Sequence, residues 1–142
     1  MTGGKFASND TVINFAKLDF VSLDENTLIG EAAKAMYERD ISCAIVTHND
    51  TIQKIRLPIG IVTARDMLNR VIAQNMGPFK VTLKEIMSAP LIAINRNASA
   101  KDAVLLMKNK DITQLPVLNE AGEMMGIVSL KSILGSIQDR DI

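Results

Sequence analysis

VSLDENTLIGEAAKAMYERDISCAIV, residues 21–46, aligns without a gap on IAINRNASAKDAVLLMKNKDITQLPV, residues 92–117. Identities fall at Asn26/Asn97, Ala32/Ala103, Met36/Met107, Asp40/Asp111, Ile41/Ile112 and Val46/Val117. Further on, GIVTARDML (60–68) matches GIVSLKSIL (126–134), with five extra residues in the first copy, in the polar stretch THNDTIQKIR. Self-similarity at this scale marks a repeat architecture, in which each copy is one supersecondary unit.

Both copies read alike. A short alternating strand, Phe20–Leu23 or Leu91–Ile94, comes first. A helix follows, with Thr27 and Ser99 as N-caps and Asp102 completing a capping box. Its apolar stripe is Leu28, Ala32, Ala35, Met36 in one copy and Ala103, Leu106, Met107 in the other. Two strands come next: Cys43–Thr47 with Pro58–Val62, and Leu115–Leu118 with Met124–Val128. Asn119-Glu120-Ala121-Gly122 is a hairpin turn. A closing helix starts at Thr63 or Ser129. The connector KVTLKEIMSAP carries a second capping box, Thr82 with Glu85, and predicts a turn or two of helix; DTVINFAKL (10–18) is its counterpart before the first repeat. The expected fold is α/β (α+β): two tandem β-α-β-β-α repeats, 1–79 and 80–142, each with a helical segment before it. A unit of about 60 residues buries only about 60% of its unfolded surface. The pair is therefore expected to pack as one pseudo-twofold module with a shared core and paired clefts.

Composition narrows the function. Sixteen basic side chains balance sixteen acidic ones, and four Phe and one Tyr are the only aromatics. That disfavours both a phosphate-tracking surface and a base-stacking platform, and so nucleic acid as partner. One cysteine, Cys43, allows no internal disulfide, and with the single His48 it makes too small a set for a metal. No signal peptide or membrane-length apolar run is visible, so a cytoplasmic location is expected. An enzyme would need a nucleophile–base pair, and neither Cys43 nor His48 has an evident orienting partner.

The ordered set of motifs resembles a CBS domain, occurring twice, and the pair resembles a stand-alone CBS pair or Bateman module over about residues 10–138. The residues are Asp40-Ile41-Ser42-Cys43-Ala44-Ile45-Val46 and Gly60-Ile61-Val62-Thr63-Ala64-Arg65-Asp66 in the first copy. In the second they are Ile112-Thr113-Gln114-Leu115-Pro116-Val117, Gly122 and Gly126-Ile127-Val128-Ser129. The resemblance implies a regulatory module that binds an adenine nucleotide or other adenosyl ligand in clefts between the repeats, needs no other cofactor, and commonly dimerises. Output would pass to a separate effector protein or through the homodimer, since 142 residues leave no room for a catalytic domain.

Carried over residue by residue, Asp66 is the ribose acceptor, since a carboxylate offers two oxygens to a vicinal diol. Thr63 would donate to a phosphate, with Arg65 as its main cation and Ile61 on the strand leading in. Ser42 and Cys43 stand where triphosphate-binding relatives carry His or Arg. Ser88, Ala89, Pro90 and Ile92 would complete this site, and the backbone near Ile112, Thr113 and Gln114 would read the adenine. So few cations suit AMP, S-adenosylmethionine or methylthioadenosine better than ATP. On spacing alone Thr63 and Asp66 are simply a capping box, and the two roles are compatible. In the second copy Ser132 replaces Asp66. Ser129, Lys131 and Ser132, with Asp19 and Val21, thus form a degraded cleft. The competing reading is a non-catalytic scaffold whose clefts are vestigial.

Overall fold

The computed structural model describes residues 10–141, with side-chain surroundings as far as residue 135. Two compact units emerge. One is Phe20–Leu91; the other joins the chain up to Asp19 to the chain from Ile92 onward. These units of packing cut the chain elsewhere than the repeat boundary at 79/80, because each repeat is completed by the segment that precedes the other one.

The first unit contains β1 (Val21–Asp24), α1 (Ile29–Glu38), β2 (Cys43–Asp50), β3 (Ile55–Thr63), α2 (Ala64–Met67), a π-helical stretch Leu68–Ile72, and α3 (Leu83–Ile86). Its sheet has the order β1-β2-β3, with β1 parallel and β3 antiparallel to β2. The second contains a 3₁₀ turn Val12–Phe15, β4 (Ile94–Asn95), α4 (Ala100–Lys110), β5 (Gln114–Leu118), β6 (Met124–Ser129) and α5 (Leu130–Asp141). Its sheet repeats the same pattern, β4-β5-β6.

The conserved spacing of the repeat has local causes. After each first strand an Asx turn reverses the chain: Asp24 Oδ1 accepts from Asn26 N–H at 2.8 Å, and Asn95 Oδ1 from Asn97 N–H at 2.9 Å. Each first helix then ends on an aspartate in the left-handed region, Asp40 at φ 53° and Asp111 at φ 54°. The next residue donates back into the helix, Ile41 N–H to Met36 O and Ile112 N–H to Met107 O, as in a Schellman closure. The identities Met36/Met107, Asp40/Asp111 and Ile41/Ile112 all belong to this one stop signal.

Several sequence expectations need correction. Thr27 is not the cap of α1: Leu28 holds that position without a side-chain bond. The donors of the first turn go instead to tertiary backbone carbonyls, Ile29 N–H to Val81 O and Gly30 N–H to Pro78 O, both at 2.8 Å. Ser99 does cap α4, accepting from Asp102 N–H at 3.0 Å. The strand expected at Leu91–Ile94 is the two-residue β4, because only Ile94 and Asn95 reach β5. β1 likewise starts at Val21 rather than Phe20. The polar stretch in the first copy is no loop: it lengthens β2 to Asp50 and begins β3 at Ile55, so its extra residues extend a hairpin. In the second copy the tight turn is as expected, with Gly122 at φ 80° and its N–H on Asn119 O.

Each unit has its own cluster of buried apolar side chains. Val21, Ile29, Ala32, Met36, Ala44, Val46, Val62, Met67 and Val71 pack with Val81, Leu83 and Ile86 of the connector. Ala103, Met107, Leu115, Val117, Val128 and Ile133 pack with Val12. The flanking segments are thus interchangeable parts of one scheme. Ser88 exchanges two backbone bonds with Ile61 on the edge of β3, and Lys17 exchanges two with Ile127 on the edge of β6. Each approach is close because β3 and β6 present a glycine there: a Cβ on Gly60 would stand 2.8 Å from Ser88 O, and one on Gly126 would stand 2.6 Å from Lys17 O.

Candidate functional site

The elbow after β3 is the best-built polar site of the unit Phe20–Leu91. Thr63 caps α2, its Oγ1 accepting from Asp66 N–H at 3.0 Å while Asp66 Oδ2 accepts from Thr63 N–H at 2.9 Å. The box fixes the Asp66 rotamer and leaves Oδ1 facing away from the cap. The Asp66 side chain is 19% exposed, so the carboxylate is sheltered yet reachable. Its fixed orientation and remaining lone pairs suit it to accept two hydroxyl donors.

Arg70 faces Oδ1 from the π-helical stretch, with Nη2 3.9 Å from it. Nη1 of the same guanidinium donates to Ile86 O, at the end of α3, at 2.6 Å. Arg65, expected as the main cation for a phosphate, is exposed, and the cation beside the carboxylate is Arg70. Its four-residue offset from Asp66 was the available signal.

The other expected residues of this unit fall into two groups. Ile61 and Ser88 are joined by their backbone pair two residues before Thr63, and Ala89 and Pro90 follow, exposed. Ser42 is exposed beside the elbow, its carbonyl accepting from Ala64 N–H at 2.8 Å. Cys43 is different: it is buried in β2, and burial pushes its thiol up to about 11. Its sulfur is therefore a core group, since a thiol so placed stays protonated.

In the other unit, Ile92 and Ile112 pack against the apolar cluster, Thr113 is exposed with its carbonyl accepting from Leu130 N–H, and Gln114 opens β5. At the equivalent elbow Ser132 imitates the cap, accepting from Ser129 N–H at 3.3 Å and donating N–H to Ser129 Oγ at 3.0 Å. Its hydroxyl also lies 2.8 Å from Ser129 O and 3.2 Å from Phe15 O. With its one proton and one lone pair engaged locally, the Ser132 hydroxyl offers fewer acceptor sites than the Asp66 carboxylate. Lys131 and Asp19 are exposed, whereas Val21 is buried in the core of the unit Phe20–Leu91.

A buried carboxylate escaped the sequence reading. Glu25, 7% exposed, meets His48 Nδ1 through Oε2, and Lys84 Nζ lies 3.8 Å from Oε1. His48, without an evident partner in the sequence, pairs with Glu25 just beyond the end of β1, while about half of its side chain remains exposed. Nothing in local spacing links residues 23 apart. Among the described residues no group of three or more His, Cys, Asp or Glu side chains is placed to hold a metal ion. No helix among them is long and apolar enough to cross a membrane.

The sequence pattern of the CBS domain matches residues 12–73 and again 83–139. The chain belongs to the CBS-domain family. Both repeats described above are CBS domains, and the glycine-backed elbow is part of each. An uncharacterised protein of Methanopyrus kandleri is 34% identical over 120 residues, covering 84% of this chain and 58% of its own length. A homoserine O-acetyltransferase of Methanosalsum zhilinae is 29% identical over 130 residues, which is 92% of this chain but 24% of the enzyme. This CBS pair thus spans only part of the length of the curated relatives it matches. Among solved structures, a CBS domain pair in complex with 5′-methylthioadenosine and S-adenosyl-L-methionine superposes with a TM-score of 0.74 at 24% identity, covering 88% of this chain and 93% of that one.

Proposed function

We propose that this CBS pair is a non-catalytic sensor of an adenosyl ligand, with Asp66 holding the ribose hydroxyls. The observation that carries the reading is the capped, sheltered carboxylate whose Oδ1 points away from its own cap. A vicinal diol fits two acceptor oxygens held in one plane. Thr63, Ser42 and the exposed Ser88 supply neutral polar groups around it, and Arg65 is the free-standing cation for a phosphate. That is a cation supply for AMP or for S-adenosylmethionine and methylthioadenosine, not for a triphosphate, which draws several cations or a metal. A CBS pair of the same fold has been solved with two such adenosyl compounds, which supports the ligand class. Occupancy would be passed on through a homodimer or to an effector protein.

The Ser132 elbow favours a second, partial reading. With its single hydroxyl proton directed to Ser129 O at 2.8 Å, and Phe15 O within reach at 3.2 Å, that half acts as a structural cap alone. One ligand per chain is therefore expected, not two.

The test is a thermal-shift panel with AMP, ADP, ATP, S-adenosylmethionine, methylthioadenosine and NAD. Wild type is compared with Asp66→Ala and Asp66→Ser. The alanine variant loses a capping partner as well as the carboxylate, while serine keeps the cap as Ser132 does. A ligand at 100 times its Kd adds about 2.7 kcal/mol, a rise of several degrees. An increment for one adenosyl compound that both variants lose is the expected result. No increment for any compound on wild type would sink the sensor reading in favour of a scaffold with vestigial clefts.

A further inference from the structure

Five pieces of the unit Phe20–Leu91 close a ring around the Asp66 elbow. Asp66 is held by Thr63, and its Oδ1 faces Arg70. Arg70 Nη1 donates to Ile86 O, the last carbonyl of α3. Two residues on, Ser88 is bonded in both directions to Ile61. Ile61 leads back to Thr63 in two residues along β3. The only charges in this ring are the carboxylate of Asp66 and the guanidinium of Arg70, and the guanidinium is permanently charged. It serves two masters with two different nitrogens, so attraction by the carboxylate places Nη1 where Ile86 O can be reached.

We infer that Arg70 is a positioning residue that ties the state of the Asp66 carboxylate to the connector at Ile86–Ser88. With the carboxylate ionised and unengaged, Arg70 is held and the end of α3 is closed. When the carboxylate is neutralised, or its charge is drawn off by hydroxyl donors, the hold on Nη2 weakens and so does the bond to Ile86 O. The connector is one of the two covalent routes out of this unit, through Leu91 to Ile92, the other being Asp19–Phe20. A change at the elbow thus reaches the backbone that leaves it. The coupling is reciprocal: loosening the connector must alter what Asp66 offers to a ligand. The part of this inference that concerns ligands rests on the ribose reading of Asp66; the coupling itself does not.

Two amides report on the connector, Met87 N–H on Leu83 O and Ser88 N–H on Ile61 O. Their hydrogen exchange is measured in the full chain for wild type, Asp66→Asn, Arg70→Met and the double variant, with amides of β5 and β6 as the internal reference. Asp66→Asn is expected to speed exchange of Met87 and Ser88 about two- to threefold, the scale of an exposed i,i+4 ion pair, and to do so only where Arg70 is present. In the Arg70→Met background the same change should leave them unaltered. Arg70→Lys should restore part of the Asp66 dependence and Arg70→Gln none of it, which separates charge positioning from simple packing. Equal effects of Asp66→Asn in both backgrounds would overturn the inference. AMP and methylthioadenosine at saturation are a separate arm. If either binds, it should change Met87 and Ser88 exchange in wild type but not in Arg70→Met, and an unchanged response there also overturns it. If neither binds wild type, the ribose reading fails, and the substitution cycle still decides the role of Arg70.

Discussion

Leu83→Ala tests the exchange of flanking segments most directly. Leu83 lies in the connector, yet it is fully buried in the cluster of the first repeat, beside Ile29, Val62 and Val71. The substitution removes three carbons, worth about 2.4 kcal/mol in transfer at about 0.8 kcal/mol per methylene. The cavity left behind raises the loss to about 3 kcal/mol. The assay is native-state hydrogen exchange at low denaturant. At about tenfold per 1.4 kcal/mol, amides of Ile45 and Val46 in β2 should exchange about a hundredfold faster, while those of Val117 and Val128 change far less. Val12→Ala is the mirror experiment: Val12 is fully buried with Val117, Val128 and Ile133, so its loss of about 2 kcal/mol should fall on β5 and β6 instead. If the two variants give the same pattern of protection, or if Leu83→Ala costs less than about 1 kcal/mol, the assignment of each segment to the other repeat's core is wrong.

Three further outcomes follow from single positions. Asp40→Gly and Asp111→Gly remove the steric cost of a left-handed residue at φ 53° and 54°, so each should stabilise by up to about 1 kcal/mol in a denaturation curve. Gly126→Ala places a Cβ 2.6 Å from Lys17 O, a backbone atom that cannot swing aside, and should lower stability by about 1–3 kcal/mol with loss of amide protection at Lys17 and Ile127. Hydrogen bonds from the backbone and hydroxyl of Thr82 hold the Glu85 carboxyl below its ordinary value. Its stabilising share is therefore complete above the unfolded carboxylate range and disappears as pH falls through the lowered folded value. Glu85→Gln should remove that acid-side dependence from a stability–pH profile.

What could be read in the sequence was what the chain decides within a few residues. The boxes Thr63/Asp66 and Thr82/Glu85, the Ser99 cap, the Asn119–Gly122 turn and the repeated helix stop need only neighbours along the chain, and all are present. Thr27 misled because its helix is capped by Val81 O and Pro78 O, which are more than fifty residues away in sequence from Thr27. The hairpin extension was hidden by its polarity, since exposed strands beyond a core carry no apolar alternation. Glu25 with His48, and Arg70 with Ile86 O, are long-range pairs that propensity cannot address. At the elbow the donor and acceptor types were legible, whereas the cation beside Asp66 was marked only by its four-residue offset. A π-helical stretch sets the path of the chain there, and that backbone irregularity has no sequence mark.

The crossed placement of the flanking segments also sets an order of events during synthesis. Everything the unit Phe20–Leu91 needs is contiguous, so its core can close as soon as Ile86 and Ser88 are clear of the ribosome. Val12, made long before, finds its partners only when Val128 and Ile133 have appeared. At about 5–20 residues per second that is a delay on the order of ten seconds, with an apolar segment waiting beside an already folded neighbour. A nascent chain arrested once residue 91 has cleared the ribosome should therefore hold one finished half and one orphaned segment, the natural point for a chaperone to take hold.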